Sequence, residues 1–132
     1  MDAFMFLTES AEIRPDALFN VIGGGATGVV VARDATHAQV AVRGVLVLRL
    51  DAHETGRHEV RVVMVDEDGG VHDSHGYVSL TRGGANCHPK TFDINGEFPV
   101  GTYQLRAVVD GSIVAAWPFR ILRAGDPGTP AP

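Results

Sequence analysis

The sequence predicts an all-β chain, an antiparallel β-sandwich of immunoglobulin-like or related type built from about eight strands. Short runs of Val, Leu, Ile and Phe recur every roughly 8 to 15 residues between Gly, Asp, Asn and Pro, and no stretch sustains helical periodicity. Two Asp-Gly steps, Asp68-Gly69 and Asp110-Gly111, lie between alternating apolar runs, where a tight hairpin needs a positive φ.

Taken in order, the first run is Ala3 to Thr8, the second Leu18 to Ile22 and the third Val29 to Ala32, the last two separated by glycines. Residues 33–39 are the only segment with a helical reading. From Val40 to Leu50, Val40 and Val42 are followed by Val45, Val47 and Leu50, so the alternation changes phase near Gly44 and predicts a bulge there. Val60, Val62 and Met64 alternate with Glu59, Arg61 and Val63 up to Asp66-Glu67-Asp68-Gly69-Gly70, the strongest hairpin signal in the chain. Tyr77 to Leu80 and Thr91 to Ile94 read as short strands around a polar loop with Asn86, Cys87 and His88. Tyr103, Leu105, Ala107 and Val109 share one face, Asp110-Gly111 turns, and Ile113 to Leu122 returns with Pro118 suited to an edge or bulge. Residues 1–123 are expected to form one domain, and 124–132 a flexible Gly/Pro-rich tail.

The chain has 132 residues, the size of one domain, and its 45% hydrophobic and 20% charged content is that of a folding sequence. Eleven basic against sixteen acidic side chains give a net charge of −5 with no Lys/Arg run, which argues against nucleic acid as a partner. Apolar stretches such as Val45 to Leu48 are too short to span a bilayer. The opening Met1-Asp2-Ala3 lacks the basic start of a secretory signal, and the single Cys87 has no internal partner, so a cytoplasmic location is expected.

Glycines 23, 25 and 28 after an apolar run satisfy the dinucleotide-binding pattern, with Asp51 placed where a ribose-binding acid would stand. That chemistry needs a helix after the third glycine, to aim N–H groups at the pyrophosphate. Here Val29-Val30-Val31 follows, a β-branched run suited to a strand. A Gly-rich connection is therefore the preferred reading, and no cofactor is expected. His72-Asp73-Ser74-His75, with Cys87-His88, is the tightest group of metal-ligand types, yet in a strand His72 and His75 would face opposite ways. Asp66, Glu67, Asp68 and Asp73 have hard-ion chemistry without EF-hand spacing, and a solvated turn explains them. Cys87 beside His88 has no third orienting group and reads as a partly buried thiol. The polar segment His53-Glu54-Thr55-Gly56-Arg57-His58 has the mixed charge of a contact loop, which makes His53, Glu54, Thr55, Arg57 and His58 the candidate partner-binding residues.

Several segments together resemble a family of small bacterial proteins known only as a domain of unknown function. They are Phe19-Asn20-Val21-Ile22-Gly23-Gly24-Gly25, the Glu54-to-His58 loop, Asp66-Glu67-Asp68-Gly69, Pro99-Val100-Gly101-Thr102-Tyr103 and Pro118-Phe119-Arg120. The similarity runs from about Ala3 to Leu122, with Ala26 standing in place of an aromatic residue and no proline ahead of Val40. The resemblance implies a sandwich-like fold and supplies no activity, cofactor or catalytic residue.

With no acid–base, nucleophile or metal constellation at reasoned spacing, the sequence points to a non-catalytic protein-binding or assembly module. Such a module would contact another protein, or its own copies, through edge strands or loops. A small-ligand or metal-binding protein is the alternative, and an enzyme using the Gly23-to-Gly28 turn the least favoured reading.

Overall fold

The computed structural model describes residues 2–8, 10–13, 19–22, 27–49, 56–80 and 87–126. Among them every regular element is a strand: β1 (Asp2–Thr8), β2 (Ser10–Ile13), β3 (Phe19–Ile22), β4 (Gly28–Val31), β5 (His37–Arg49), β6 (Arg57–Asp66), β7 (Val71–Leu80), β8 (Cys87–Pro99), β9 (Gly101–Val109) and β10 (Ser112–Arg123). A three-stranded sheet has the order β1-β5-β8, and a five-stranded sheet the order β4-β10-β9-β6-β7. Eight strands, about the number expected, make up these two sheets, whereas the expected second run corresponds to β3, which pairs with β2 in a separate ribbon. All pairings are antiparallel except β4 on β10, which is parallel and departs from the purely antiparallel expectation.

One core draws on both sheets. Leu7, Val40, Leu46, Leu48 and Ile94 from the smaller sheet meet Val60, Val62, Met64, Leu105, Phe119 and Ile121 from the larger. Each fully buried side chain of this size contributes about 1.5–3 kcal/mol. In β9 the burial alternates strictly, with Tyr103, Leu105, Ala107 and Val109 inward, because one face meets the core and the other does not.

The bulge expected near Gly44 is absent. β5 runs in unbroken register with both neighbours, Gly44 facing Leu7 on one side and Phe92 on the other. The change of phase has another cause. Leu46 and Leu48 serve the main core, whereas Val45 and Val47 are buried on the reverse face with Phe6 in a second small cluster. The β2–β3 ribbon covers that side, since β2 lies against β5 and β8. Glycine at 44 is set by Phe92, whose ring lies where a Cβ would be, 2.0 Å from the ring's Cζ.

Residues 33–39 are not helical. Ala35 N–H donates to the Ala32 carbonyl to close a turn, and β5 has begun by His37. The Val100 N–H bonded to the Thr36 carbonyl ties this turn to the β8–β9 connection, a tertiary contact that local propensity does not carry. β7 and β8 are much longer than the short strands expected, so His72 to His75 and Cys87-His88 are strand residues rather than loop residues.

Both anticipated hairpins form. Gly69 takes φ +85°, and the Asp66 carboxylate accepts from the Asp68 and Gly70 N–H groups across the β6–β7 turn. Asp110 and Gly111 both have positive φ, 50° and 86°, as a two-residue type I′ hairpin requires. Pro118 sits on β10 just before β4 joins at Arg120, where its missing N–H has no neighbour to serve on that side, and the β10 irregularity falls instead between Ile113 and Ala115. Residues 124–126, placed in the tail by composition, make a turn: Ala124 N–H donates to the Val31 carbonyl and the Asp126 carboxylate accepts from Arg123 N–H.

Candidate functional site

The proposed contact loop is only partly described. His53, Glu54 and Thr55 lie outside the described residues, as do Gly23 to Ala26, Asp51 and residues 127–132. Arg57 and His58 open β6, and strand alternation parts them: Arg57 is exposed while His58 turns inward, its side chain 12% exposed. His58 Nδ1 lies 2.8 Å from Asp110 Oδ2, and Asp110 Oδ1 accepts the Glu59 N–H at 3.0 Å. The Asp110 N–H returns a bond to the Glu59 carbonyl, so the hairpin tip is locked to the start of β6. The histidine contact, then the Glu59 N–H, hold the Asp110 carboxyl below its usual range. His58 Nε2 is buried without a hydrogen-bond partner.

Immediately outside this lock is a cleft of about 450 Å³ on the outer face of the five-stranded sheet, lined by Glu59, Arg61, Gly76, Val108, Asp110 and Gly111. Register explains the grouping. Arg61 pairs with Gly76 of β7 and with Val108 of β9, which brings three distant segments to one level, and Glu59 and Asp110 occupy the next level along. Arg61 Nη1 donates to Ser74 Oγ at 3.0 Å, a neutral partner. Gly76 has no local reason to be glycine: its φ is not in the left-handed region, and a Cβ there would meet nothing within 4 Å. Glycine within a strand costs roughly 0.5–1 kcal/mol relative to alanine. Sequence reasoning missed this grouping; the available signal was the lone glycine in mid-strand, which often marks close approach by a ligand or another backbone.

The histidine pair behaves differently from expectation. A register shift between Met64 and Val65 places His72 as an extra residue in β7, since Val65 pairs with Val71 and Met64 with Asp73. The bulge offsets the alternation, so His72 and His75 both face inward rather than to opposite sides. His72 lies edge-on to Tyr103 at 5.2 Å and His75 beside Phe92 at 6.1 Å. They still do not converge, because each has its own carboxylate: His72 Nε2 with Asp66 Oδ2 at 2.7 Å, His75 Nε2 with Asp73 Oδ2 at 3.0 Å. The His72 contact, followed by the Gly70 N–H, holds the Asp66 carboxyl below its usual range. Among the described residues no three His, Cys, Asp or Glu side chains are grouped to hold a metal ion.

The residue after the glycine-rich segment settles the backbone question. Gly28 begins β4, so extended chain stands where a phosphate-binding turn needs a helix N-terminus. Its glycine also has a steric cause, for a Cβ at 28 would lie 2.2 Å from the Arg120 carbonyl oxygen. No protein family, curated protein or solved structure matches the chain. No helix among the described residues is long and apolar enough to cross a membrane.

The sheet edges are unequal. β7 is guarded by its bulge and by Asp73 and His75 pointing inward, and β8 by Pro89, Lys90, Asp93 and Pro99. Asp93 is itself paired with Arg43, Nε to Oδ1 at 2.7 Å, which draws its carboxyl below the usual range. β4 carries no charge and no proline, and Val30 is 50% exposed. The Thr27 carbonyl accepts from Arg120 of β10 and the Val31 carbonyl from Ala124 just past its end, so by alternation the backbone groups of Gly28 and Val30 point away from the sheet. Among the described residues they have no partner.

Proposed function

We propose that this chain is a non-catalytic protein-binding or assembly module, cytoplasmic and akin to the small bacterial family it resembles, which engages a second polypeptide strand along β4. The carrying observation is the uncharged β4 edge, whose outward backbone groups have no partner among the described residues, set against the guarded edges of β7 and β8. An immunoglobulin-like or related sandwich is the fold in which this reading makes most sense. The orders β1-β5-β8 and β10-β9-β6-β7 follow the A-B-E and G-F-C-C′ layers of that architecture, with β4 added beside the last strand. The Tyr103 hydroxyl, donating back to the Pro99 carbonyl at the β8–β9 corner, supports the same reading, since such a tyrosine corner recurs in these sandwiches. It also gives the Pro-x-Gly-x-Tyr segment a physical purpose.

The test is native mass measurement with affinity capture, on the full chain and on Val30→Pro. That substitution removes an N–H the fold does not use and blocks strand addition. Self-association or a stoichiometric protein partner, lost in Val30→Pro with the thermal midpoint retained, is expected. A strictly monomeric chain that captures nothing overturns the reading.

A further inference from the structure

We infer that the cleft beside the Asp110-Gly111 turn binds a small zwitterion, either a free amino acid or a short peptide with both termini charged. The site is independent of β4, because it lies toward the opposite edge of the five-stranded sheet.

Its charges are separated along one strand. Glu59 and Arg61 project from the same face of β6, two residues apart and therefore roughly 6.6 Å from each other along the strand. Asp110 adds a second carboxylate at the Glu59 end, and its oxygens keep acceptor capacity beyond the His58 and Glu59 contacts. At the other end, no carboxylate among the described residues pairs with Arg61, whose bond to Ser74 Oγ leaves four guanidinium N–H donors for a ligand. An ammonium group thus suits the acidic end, and a carboxylate the arginine.

Gly76 makes the space. Gly111 is accounted for by its positive φ, but Gly76 adopts ordinary backbone with open room where a side chain would stand. Directly opposite Arg61, it keeps the approach to the guanidinium clear. Val108 across the sheet offers an apolar wall for a ligand side chain. Two opposed charges, an open volume of about 450 Å³ and a glycine that the strand itself does not require converge on one place.

The experiment is a titration of the isotope-labelled full chain, followed by the amide signals of Arg61, Gly76 and Gly111. The probes are leucine, the dipeptide Ala-Leu, N-acetyl-leucine and leucine amide. Saturable shifts with leucine or Ala-Leu are expected, and removing either charge should weaken binding about tenfold. Preference between the first two probes identifies the source as free amino acid or peptide. Gly76→Leu fills the cleft without touching the fold and should abolish the shifts, and Arg61→Gln should weaken them about tenfold, both with unchanged thermal midpoints. The inference is overturned if no probe gives saturable shifts at millimolar concentration, if the singly charged probes bind as well as the zwitterions, or if Gly76→Leu binds like the parent.

Discussion

Replacing Gly28 by alanine separates the two roles that a third glycine in this segment could play. In β4 its Cβ would stand 2.2 Å from the Arg120 carbonyl oxygen, 3.0 Å from the carbonyl carbon and 3.2 Å from the nitrogen, all backbone atoms that cannot rotate aside. Relief requires the start of β4 to move off β10 by about 1 Å, which stretches the 2.9 Å bond from Arg120 N–H to the Thr27 carbonyl beyond useful length. Losing that rung costs about 0.5–1.5 kcal/mol, and the residual overpacking about 1–3 kcal/mol. The stiffer unfolded chain returns about 0.4–1 kcal/mol. The expected net loss is about 1–3 kcal/mol, or a midpoint roughly 3–15 °C lower for a chain of this size. Urea unfolding at neutral pH measures it. A variant within about 0.5 kcal/mol of the parent would refute the steric argument, and one that is fully stable yet loses nucleotide binding would restore the phosphate-turn reading.

Gly44→Ala should destabilise by about 1–3 kcal/mol through collision with the Phe92 ring, and pairing it with Phe92→Leu should recover part of the loss; equal effects of the single and double changes would count against the contact. Tyr103→Phe leaves the Pro99 carbonyl without its donor and should cost about 0.5–1.5 kcal/mol in denaturant unfolding, an unchanged midpoint being the contrary result. Asp66 has a folded pKa below its ordinary 3.8, so its contribution is complete above that value and disappears as pH falls through the lower, folded one. Asp66→Asn should therefore flatten the acid side of the stability curve, and parallel curves for variant and parent between neutral and strongly acid pH would exclude this role.

How much could be read in advance depended on whether one face or two is buried. β9 alternates throughout and β6 from Arg57 to Met64, before Val65 is buried on the other face, and both were legible with the hairpins that follow them. β5 is covered on both sides from Gly44 onward, which erases the alternation and imitates a bulge. β7 escaped in part because His-Asp-Ser-His has weak strand preference and an edge tolerates it, and β2 because four residues, Ser-Ala-Glu-Ile, carry too little pattern. Of the cleft, the lone Gly76 was the one legible sign. Glu59, Arg61, Gly76, Val108 and Asp110 come together only through the register of three strands, and register follows from core packing and turn geometry rather than from any one segment.

The β5–β8 ladder sets the order in which this molecule can assemble. It joins His37 to Pro99 and Arg49 to Cys87, so its longest seam has to close large loops before any of its bonds repay the lost freedom. The β6–β7 and β9–β10 hairpins close over short turns and can form on a timescale of roughly microseconds, long before a seam of such distant partners. Until β8 arrives, β5 has β1 as its one sheet neighbour, and the edge that β8 will cover is open to wrong pairing.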